Sequence, residues 1–198
     1  MVEKRVDGPM RRHEGSWMLI DLLYERARGT PSDIWEHLEL LARLASLCDH
    51  VTEFGVREGT STVALLFGRP KVVVSYDMGP LSHLEALQLA ATEAGVQFRF
   101  CQMDVRTIEI DPTDFLLIDS LHTFDQLTVE LGLHAARVRR YIAMHDTTTF
   151  GDRGGGDMEA HTKIGLWPAI ALFLREHREW RLLFYLTNNN GMTVLERS

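Results

Sequence analysis

Acidic residues follow short apolar runs at five points of this sequence, and their spacing indicates a ligand-binding edge. The five residues are Glu53, Asp77, Asp104, Asp119 and Asp146. Apolar runs of this length are typical of strands in a parallel sheet, where ligands bind beyond the carboxyl ends of the strands. A helix N-cap or a turn would explain any one acid alone. Five such acids in succession favour a different interpretation, in which the carboxylates converge on one edge of the sheet. There they could bind ribose hydroxyls or a divalent cation.

The strand-to-helix turn at residues 51–62 carries the densest group of candidate cofactor-binding residues. Its sequence is VTEFGVREGTST, and the candidates are Glu53, Gly55, Gly59, Thr60 and Ser61. We expect Gly55 to turn the backbone with a positive φ and Gly59 to let a small polar cofactor come close. Asp77 lies about 20 residues beyond these glycines, a position from which an acid accepts hydrogen bonds from ribose hydroxyls. Asp104 follows the next strand and could bind the exocyclic amine of a nucleobase.

Two amphipathic helices are predicted ahead of the first strand. One covers about 16–28, and the other runs from residue 32 or 33 to about residue 48. If Asp33 caps the second helix, Glu36 has the spacing of a capping box. These helices would form an N-terminal cap over 1–48, and their apolar faces favour a homodimer.

Strands and helices alternate through the rest of the chain. Strands are predicted over 51–55, 72–76, 96–101, 115–118 and 141–144. Helices are predicted over 60–68, 82–94, 122–136 and 166–177. The chain closes with two apolar runs around Asn188-Asn189-Asn190-Gly191, which predicts a hairpin. We therefore predict an α/β fold: a Rossmann-like, doubly wound, mostly parallel seven-stranded sheet with an antiparallel last strand and an N-terminal helical cap.

Length and composition are those of a single domain and argue against several kinds of partner. The 198 residues suit one domain, with a cap at 1–48 and a cofactor-binding core at 49–198. The net charge of −7 and the lack of a basic stripe argue against nucleic acid. The sequence has no signal-peptide or membrane-length apolar run, and Cys48 and Cys101 are too few for a disulfide framework. We therefore expect a cytoplasmic protein that does not bind membranes.

From about residue 48 to the end, the order and spacing of these features resemble the class I S-adenosylmethionine-dependent methyltransferases. The segment 53–59, EFGVREG, resembles their first motif, Asp77 stands at their ribose-binding acid, and Asp104 is near their adenine-binding position. The closing hairpin agrees with the reversed last strand of that fold. The resemblance implies S-adenosyl-L-methionine as the cofactor and methyl transfer as the activity.

Two further segments resemble the small metal-dependent O-methyltransferases that act on macrolide sugars, cephalosporin-type metabolites and catechols. They are LLIDSLHTF at 116–124 and IAMHDTT at 142–148. The resemblance implies Asp119 and Asp146 as metal ligands, with His145 as a further ligand, and it also puts Asp119 among the cofactor-binding residues. His122 stands at the position of the catalytic base, where catechol-type members have a lysine.

These residues suggest metal-assisted transfer of a methyl group to a hydroxyl of a small metabolite or sugar. Two carboxylates favour Mg²⁺, whereas an imidazole ligand also suits Mn²⁺, Fe²⁺ or Zn²⁺. A bound cation would lower the pKa of the acceptor hydroxyl. His122, with an ordinary pKa of about 6.5, could take the proton that the hydroxyl loses.

Two other functions are compatible with parts of the pattern. A nicotinamide-dependent oxidoreductase predicts a Gly-x-Gly-x-x-Gly turn, but the turn here has only Gly55 and Gly59. A non-catalytic module would bind S-adenosylmethionine without metal dependence. The Gly-rich segment 151–163, beside the expected metal site, is either a lid or a surface connection.

Overall fold

The structure, a computed structural model, describes residues 18–154 and 164–198. Its α-helices are α1 (Leu19–Gly29), α2 (Leu38–Ser46), α3 (Thr60–Phe67), α4 (Leu84–Glu93), α5 (Phe124–His134) and α6 (Leu166–Glu176). Its strands are β1 (His50–Phe54), β2 (Val72–Asp77), β3 (Gln97–Gln102), β4 (Thr113–Ile118), β5 (Val138–His145), β6 (Trp180–Leu186) and β7 (Met192–Arg197). Short 3₁₀ turns cover Trp35–His37, Val105–Thr107 and Ala135–Arg137.

The strands form a seven-stranded sheet in the order β3-β2-β1-β4-β5-β7-β6. Strands β1 to β5 pair in parallel, and β7 runs antiparallel to both β5 and β6. The predicted Rossmann-like sheet with a reversed last strand is therefore confirmed. Strands β1 and β4 lie side by side at the centre, where the direction of strand addition reverses. Ligands of such sheets bind at this switch point.

Strand β4 shows why the sheet is covered on both faces. All of its residues are buried, and its apolar side chains alternate between two clusters. Phe115 and Leu117 pack in the cluster that contains residues of α1 to α4, and Leu116 and Ile118 pack in the one that contains residues of α5 and α6. Consecutive apolar residues in a strand require cover on both sides. The buried sheet gives the carboxyl ends of β1 and β4 a rigid support.

The N-terminal cap differs in detail from the prediction. Its second helix begins with the 3₁₀ turn Trp35–His37 and continues as α2, so it starts later than predicted. The predicted capping box is wrong, because the Asp33 carboxylate binds the guanidinium of Arg57 instead of a helix N–H group. Glu36 accepts a hydrogen bond from the side chain of Asn188. Both acids have found partners in the tertiary structure, and the charged guanidinium binds the Asp33 carboxylate more strongly than a neutral helix N–H group would.

Some predictions fall outside the described residues. They concern the start of the first predicted helix and residues 155–163 of the Gly-rich segment. Within the two described ranges, no helix has both the length and the hydrophobicity needed to cross a lipid bilayer.

Candidate active site

The turn from β1 into α3 begins with a glycine that the sheet itself requires. Gly55 has a φ of +82°, and a Cβ at this position would lie 2.0 Å from the carbonyl oxygen of Asp119. Any side chain would therefore collide with the end of β4. Gly59 ends the turn with a φ of +78°, and a Cβ there would meet the side chain of Leu87 at 3.0 Å. The positive φ predicted for Gly55 is confirmed, and the turn lies directly against the backbone that carries Asp119.

Glu53 lies beneath this turn and is fully buried. Its carboxylate accepts hydrogen bonds from the hydroxyls of Ser61 at 2.6 Å, Thr62 at 2.7 Å and Ser75 at 2.6 Å. Burial raises the pKa of Glu53 to about 7, although the hydroxyl donors favour its ionised form. Glu53 therefore joins β1, β2 and the first turn of α3, and Ser61 belongs to the same network. Contact of either residue with a cofactor stays a prediction.

Asp77 ends β2 and holds the glycine turn in place. One carboxylate oxygen accepts hydrogen bonds from the backbone N–H groups of Val56 at 2.7 Å and Arg57 at 3.0 Å. The other oxygen accepts one from the N–H of Gly79 at 2.8 Å. Burial opposes ionisation, but the backbone donors outweigh it and lower the pKa of Asp77 below its ordinary value. An ionised, partly exposed acceptor therefore lies beside the turn.

Two exposed methionine side chains follow the ends of β2 and β3 at the same edge. Met78 is 69% exposed and Met103 is 47% exposed. The backbone N–H of Met103 donates to the carbonyl of Asp77 at 2.9 Å, so the two strand ends are joined here. Exposed apolar side chains beside an acid suit a ligand with a flat apolar face and polar edges. Sequence reasoning missed these methionines, and their position directly after two strands is the signal that could have found them.

Asp104 and Thr60 occupy the remaining positions predicted for the cofactor. The Asp104 carboxylate accepts hydrogen bonds from the guanidinium of Arg106 at 2.8 Å and from its backbone N–H at 2.9 Å. These contacts lower the pKa of Asp104. Among the described residues, the Asp104 carboxylate accepts hydrogen bonds from Arg106 and from none of the other predicted site residues. Thr60 is half-buried and opens α3, and the cofactor roles of both residues stay predictions.

The structure brings four predicted residues together where β4 and β5 end. His145 Nδ1 lies 3.2 Å from the Asp119 carboxylate and 3.6 Å from that of Asp146. His122 Nε2 lies 2.8 Å from the Asp146 carboxylate and 3.4 Å from that of Asp119. One ligand atom from each of Asp119, His145 and Asp146 lies within 4.8 Å of the other two. This spacing allows the three side chains to share one ion.

The backbone turn after β5 positions Asp146 and also Phe150, whose ring packs on His122. Asp146 has a φ of +61°, a left-handed conformation that Asp adopts more readily than most residues. Its carbonyl accepts a hydrogen bond from the N–H of Phe150 at 2.9 Å, which closes a turn. The rings of His122 and Phe150 stack with their centroids 4.9 Å apart. The turn therefore places one proposed ligand and supports the proposed base.

Burial and charge act in opposite directions on this cluster. Burial would lower the pKa values of His122 and His145, but the two carboxylates outweigh it and raise them to about 9 and about 10. Burial would raise the pKa values of Asp119 and Asp146, but the imidazoles outweigh it and lower both. Two ionised carboxylates thus lie in a mostly buried space, where positive charge is strongly favoured. A protonated imidazole or a divalent cation can supply that charge.

One oxygen of the cluster has no protein partner. Asp146 Oδ1 is buried and accepts no hydrogen bond from any residue that the structure describes. A buried ionised oxygen is costly unless an ion or water binds it. The Asp146 carboxylate, His145 Nδ1 and the Asp119 carboxylate form a donor set that suits Mg²⁺, Mn²⁺ or a related divalent cation. The residues present therefore fit the cation that the sequence predicts.

His145 is contacted from its other side by a loop that sequence reasoning interpreted only as a hairpin turn. Its Nε2 lies 3.1 Å from the carbonyl oxygen of Asn189. The same carbonyl lies 3.2 Å from Nε2 of His37, a buried residue of the N-terminal cap. Neither contact has a sequence signature, because every residue carries a backbone carbonyl.

Solved structures of methyltransferases have this fold. A putative caffeoyl-CoA O-methyltransferase from Staphylococcus aureus matches with a TM-score of 0.63 and 11% identity, over 90% of this chain and 92% of its own. The O-methyltransferase TomG from Streptomyces achromogenes, solved with SAM, matches with a TM-score of 0.56 and 16% identity, over 95% and 91%. The N-methyltransferase NodS from Bradyrhizobium japonicum matches with a TM-score of 0.56 and 14% identity, over 88% and 96%.

These matches establish the fold but do not identify the reaction. No protein-family model matches the chain, and no curated protein matches its sequence significantly. Methyltransferases that act on oxygen and on nitrogen both have this fold. The acceptor atom therefore has to be inferred from the side chains at the carboxyl edge.

Proposed function

We propose that the protein transfers a methyl group from S-adenosylmethionine to a hydroxyl of a small metabolite or sugar, assisted by a divalent cation. The observation that carries this proposal is the cluster of two carboxylates and two imidazoles beside the glycine turn. Because Gly55 lies against the backbone of Asp119, a cofactor at the turn and a cation at the cluster would be neighbours. The methyltransferases with the same fold support this choice of cofactor.

We expect the cofactor at the edge formed by β1, β2 and β3. Asp77 is ionised and partly exposed, so it can accept hydrogen bonds from ribose hydroxyls. Met78 and Met103 offer exposed apolar surface for the adenine ring. Gly59 and Thr60 lie where the turn enters α3 and would contact the cofactor from that side.

The cation would be held by Asp119, Asp146 and Nδ1 of His145, and we expect Mg²⁺, with Mn²⁺ as the alternative. A bound divalent cation lowers the pKa of a hydroxyl, and S-adenosylmethionine supplies the methyl group. With a cation at the carboxylates to supply the positive charge, the imidazole of His122 would no longer need its own proton, and Nε2 would accept the hydroxyl proton. The His122 ring stacks on Phe150, which limits the movement of the imidazole relative to the metal ligands.

A hydroxyl acceptor explains this cluster better than an amine does. A neutral amine already has a nucleophilic lone pair, whereas a hydroxyl is a weak nucleophile until its proton leaves. Two carboxylates with an imidazole can bind a cation that lowers the pKa of a hydroxyl, and a second imidazole beside them can take its proton. The N-methyltransferase NodS shares the fold, but a shared fold does not indicate that the acceptor atom here is nitrogen.

Turnover with a panel of catechols and sugars tests the proposal. We expect transfer of labelled methyl from S-adenosylmethionine with Mg²⁺ or Mn²⁺, loss of transfer with EDTA, and recovery when the cation is restored. Calorimetry with S-adenosylhomocysteine measures cofactor binding independently of the acceptor. Full activity under chelation would contradict the metal role, and a lack of S-adenosylhomocysteine binding would contradict the methyltransferase as a whole.

A further inference from the structure

The loop between β6 and β7, residues 187–191, contacts both the candidate metal centre and the N-terminal cap. Asn189 and Asn190 have φ values of +43° and +69°, and Gly191 has a φ of +93°. Asn and Gly tolerate this left-handed conformation better than other residues. A Cβ at Gly191 would lie 2.5 Å from the backbone nitrogen of Thr148, in the turn after β5. The shape of the loop therefore favours Asn at residues 189 and 190, and its close approach to that turn requires Gly at residue 191.

On its inner side, the loop binds His145. The contact joins the carbonyl oxygen of Asn189 to Nε2 of His145. A carbonyl can only accept a hydrogen bond, so this nitrogen carries a proton. Nδ1 is the nitrogen that faces Asp119 and Asp146. The loop therefore determines which nitrogen of His145 is offered to a cation.

On its outer side, the same loop is fixed to the N-terminal cap. Nε2 of His37 lies 3.1 Å from the carbonyl of Asn188 and 3.2 Å from that of Asn189. The Asn189 side chain accepts a hydrogen bond from the N–H of Glu36 at 3.0 Å and donates one to the carbonyl of Ser32 at 2.9 Å. His37 is 1% exposed, and its Nδ1 has no partner among the described residues. Its hydrogen bonding is thus directed at the loop.

We propose that His37 is a positioning residue for the metal centre, and that it acts through the Asn189 carbonyl on the Nδ1 ligand atom of His145. This role rests on the proposed function, since it presupposes that His145 binds a cation. Without the N–H of His37, the carbonyl loses one of its two imidazole donors and can shift, and the His145 ring would shift with it. Partners that orient a ligand histidine typically change metal affinity by about 10–100-fold when they are removed.

Mn²⁺ binding by variants of His37 tests this role. His37→Phe keeps a planar ring and removes the N–H donor. We expect its Mn²⁺ affinity, measured by electron paramagnetic resonance titration, to fall about 10-fold. Its affinity for S-adenosylhomocysteine should stay within about two-fold, because the hydrogen bonds of His37 go to the loop and not to the residues expected to bind the cofactor. His37→Gln retains an N–H donor and should recover most of the Mn²⁺ affinity.

His134→Phe is the matched control. His134 is also buried, and its Nε2 lies 2.8 Å from the carbonyl of Val105, which is not a residue of the cluster. This variant should lower the melting temperature and leave the Mn²⁺ affinity unchanged. If His37→Phe does not fold, His37→Leu takes its place. It also removes the N–H donor to the loop carbonyls and keeps an apolar side chain in this buried position, so the same loss of Mn²⁺ affinity is expected.

The outcomes separate this role from the proposed function. Unchanged Mn²⁺ affinity in His37→Phe or its replacement, or an equal loss in His134→Phe, would overturn the positioning role while leaving the metal centre in place. A wild-type protein that binds no Mn²⁺ would overturn the proposed metal assistance, and the role of His37 with it.

Discussion

The two halves of the carboxyl edge use their acidic residues in different ways. At the ends of β1 to β3, the carboxylates of Glu53, Asp77 and Asp104 accept hydrogen bonds from hydroxyl, backbone N–H and guanidinium groups of the chain. At the ends of β4 and β5, Asp119 and Asp146 face two imidazoles, and one Asp146 oxygen has no partner among the described residues. The first set fixes the backbone, whereas the second retains the capacity to bind an ion.

Under the proposed function, this difference would separate the two tasks of a methyltransferase. A cofactor site requires a rigid turn, and the satisfied acids of the first half supply one. A reactive centre requires groups whose charge can be shared with a ligand, and the second half contains them. Variants in one half should therefore act mainly on ligand binding at that half.

The largest effect is expected from Asp146→Asn in the second half. Asn tolerates the φ of +61° but lacks the negative charge of the proposed ligand. We expect Mn²⁺ binding to be lost and methyl transfer to fall roughly 1000-fold, because a bound cation contributes several kcal/mol to the transition state. Affinity for S-adenosylhomocysteine, measured by calorimetry, should stay within about two-fold. Activity that keeps its wild-type Mn²⁺ dependence would show that Asp146 is not a ligand.

A somewhat smaller effect is expected from His122→Gln, which removes the proposed base and leaves the ligands in place. We expect kcat to fall about 100-fold in steady-state assays, with Mn²⁺ binding retained. His83→Gln is the control, because His83 is an exposed histidine at the start of α4 in the first half. Equal kcat values in the two variants would remove His122 from the reaction.

Glu130 is a buried acid of the second half that lies outside the proposed ligand set. It accepts hydrogen bonds from Ser120 at 2.6 Å and Gln126 at 2.7 Å, and burial raises its pKa from 4.5 to about 7. The folded protein therefore binds this proton more tightly than the unfolded chain does. The resulting stabilisation is complete below pH 4.5 and is lost as the pH rises through about 7.

Glu130→Gln, which resembles the protonated acid, should remove this pH dependence. Relative to the wild type, the variant should gain on the order of 3 kcal/mol of unfolding free energy from pH 4.5 to well above pH 7. Urea unfolding at a series of pH values measures this difference. A difference between the two proteins that stays constant over that range would mean that Glu130 ionises as it does in the unfolded chain.

The smallest effect is expected from Asp77→Asn in the first half. Loss of the charge weakens the hydrogen bonds that hold the turn and that would hold the ribose, so affinity for S-adenosylhomocysteine should fall about 10-fold. Mn²⁺ affinity should not change. Arg99→Ala is the control, since it removes an exposed ion pair with Asp111 and should alter neither affinity. A loss of Mn²⁺ affinity in Asp77→Asn would show that the two halves are coupled.

The sheet and the convergence of its acids could be predicted because the buried strands carry apolar runs. Strand β4 was predicted over 115–118, and in the structure it extends back to Thr113. Once parallel pairing is inferred, strand ends meet at one edge. Asp119 and Asp146 could therefore be assigned to a common edge from their positions, whereas the family resemblance implied that they and His145 are metal ligands.

The partners of these acids could not be predicted in the same way. Ser75 lies 22 residues from Glu53 in the chain, and the register of β1 against β2 makes them neighbours. The Asn189 carbonyl that contacts His145 comes from a loop 44 residues away. Contacts that depend on strand register or on backbone atoms leave no local pattern in the sequence. Only the folded chain therefore shows whether an acid already has hydrogen-bond partners or is free to bind a ligand.

In the proposed enzyme, a cation and the cofactor lie side by side at the ends of β1 and β4. A crystal structure with Mn²⁺ and S-adenosylhomocysteine, in which anomalous scattering locates the ion, tests this arrangement most directly. We predict an anomalous peak bound by Asp119, Nδ1 of His145 and Asp146, with the cofactor sulfur beside it and the ribose at Asp77. A crystal that contains the cofactor but shows no anomalous peak within this cluster would contradict it.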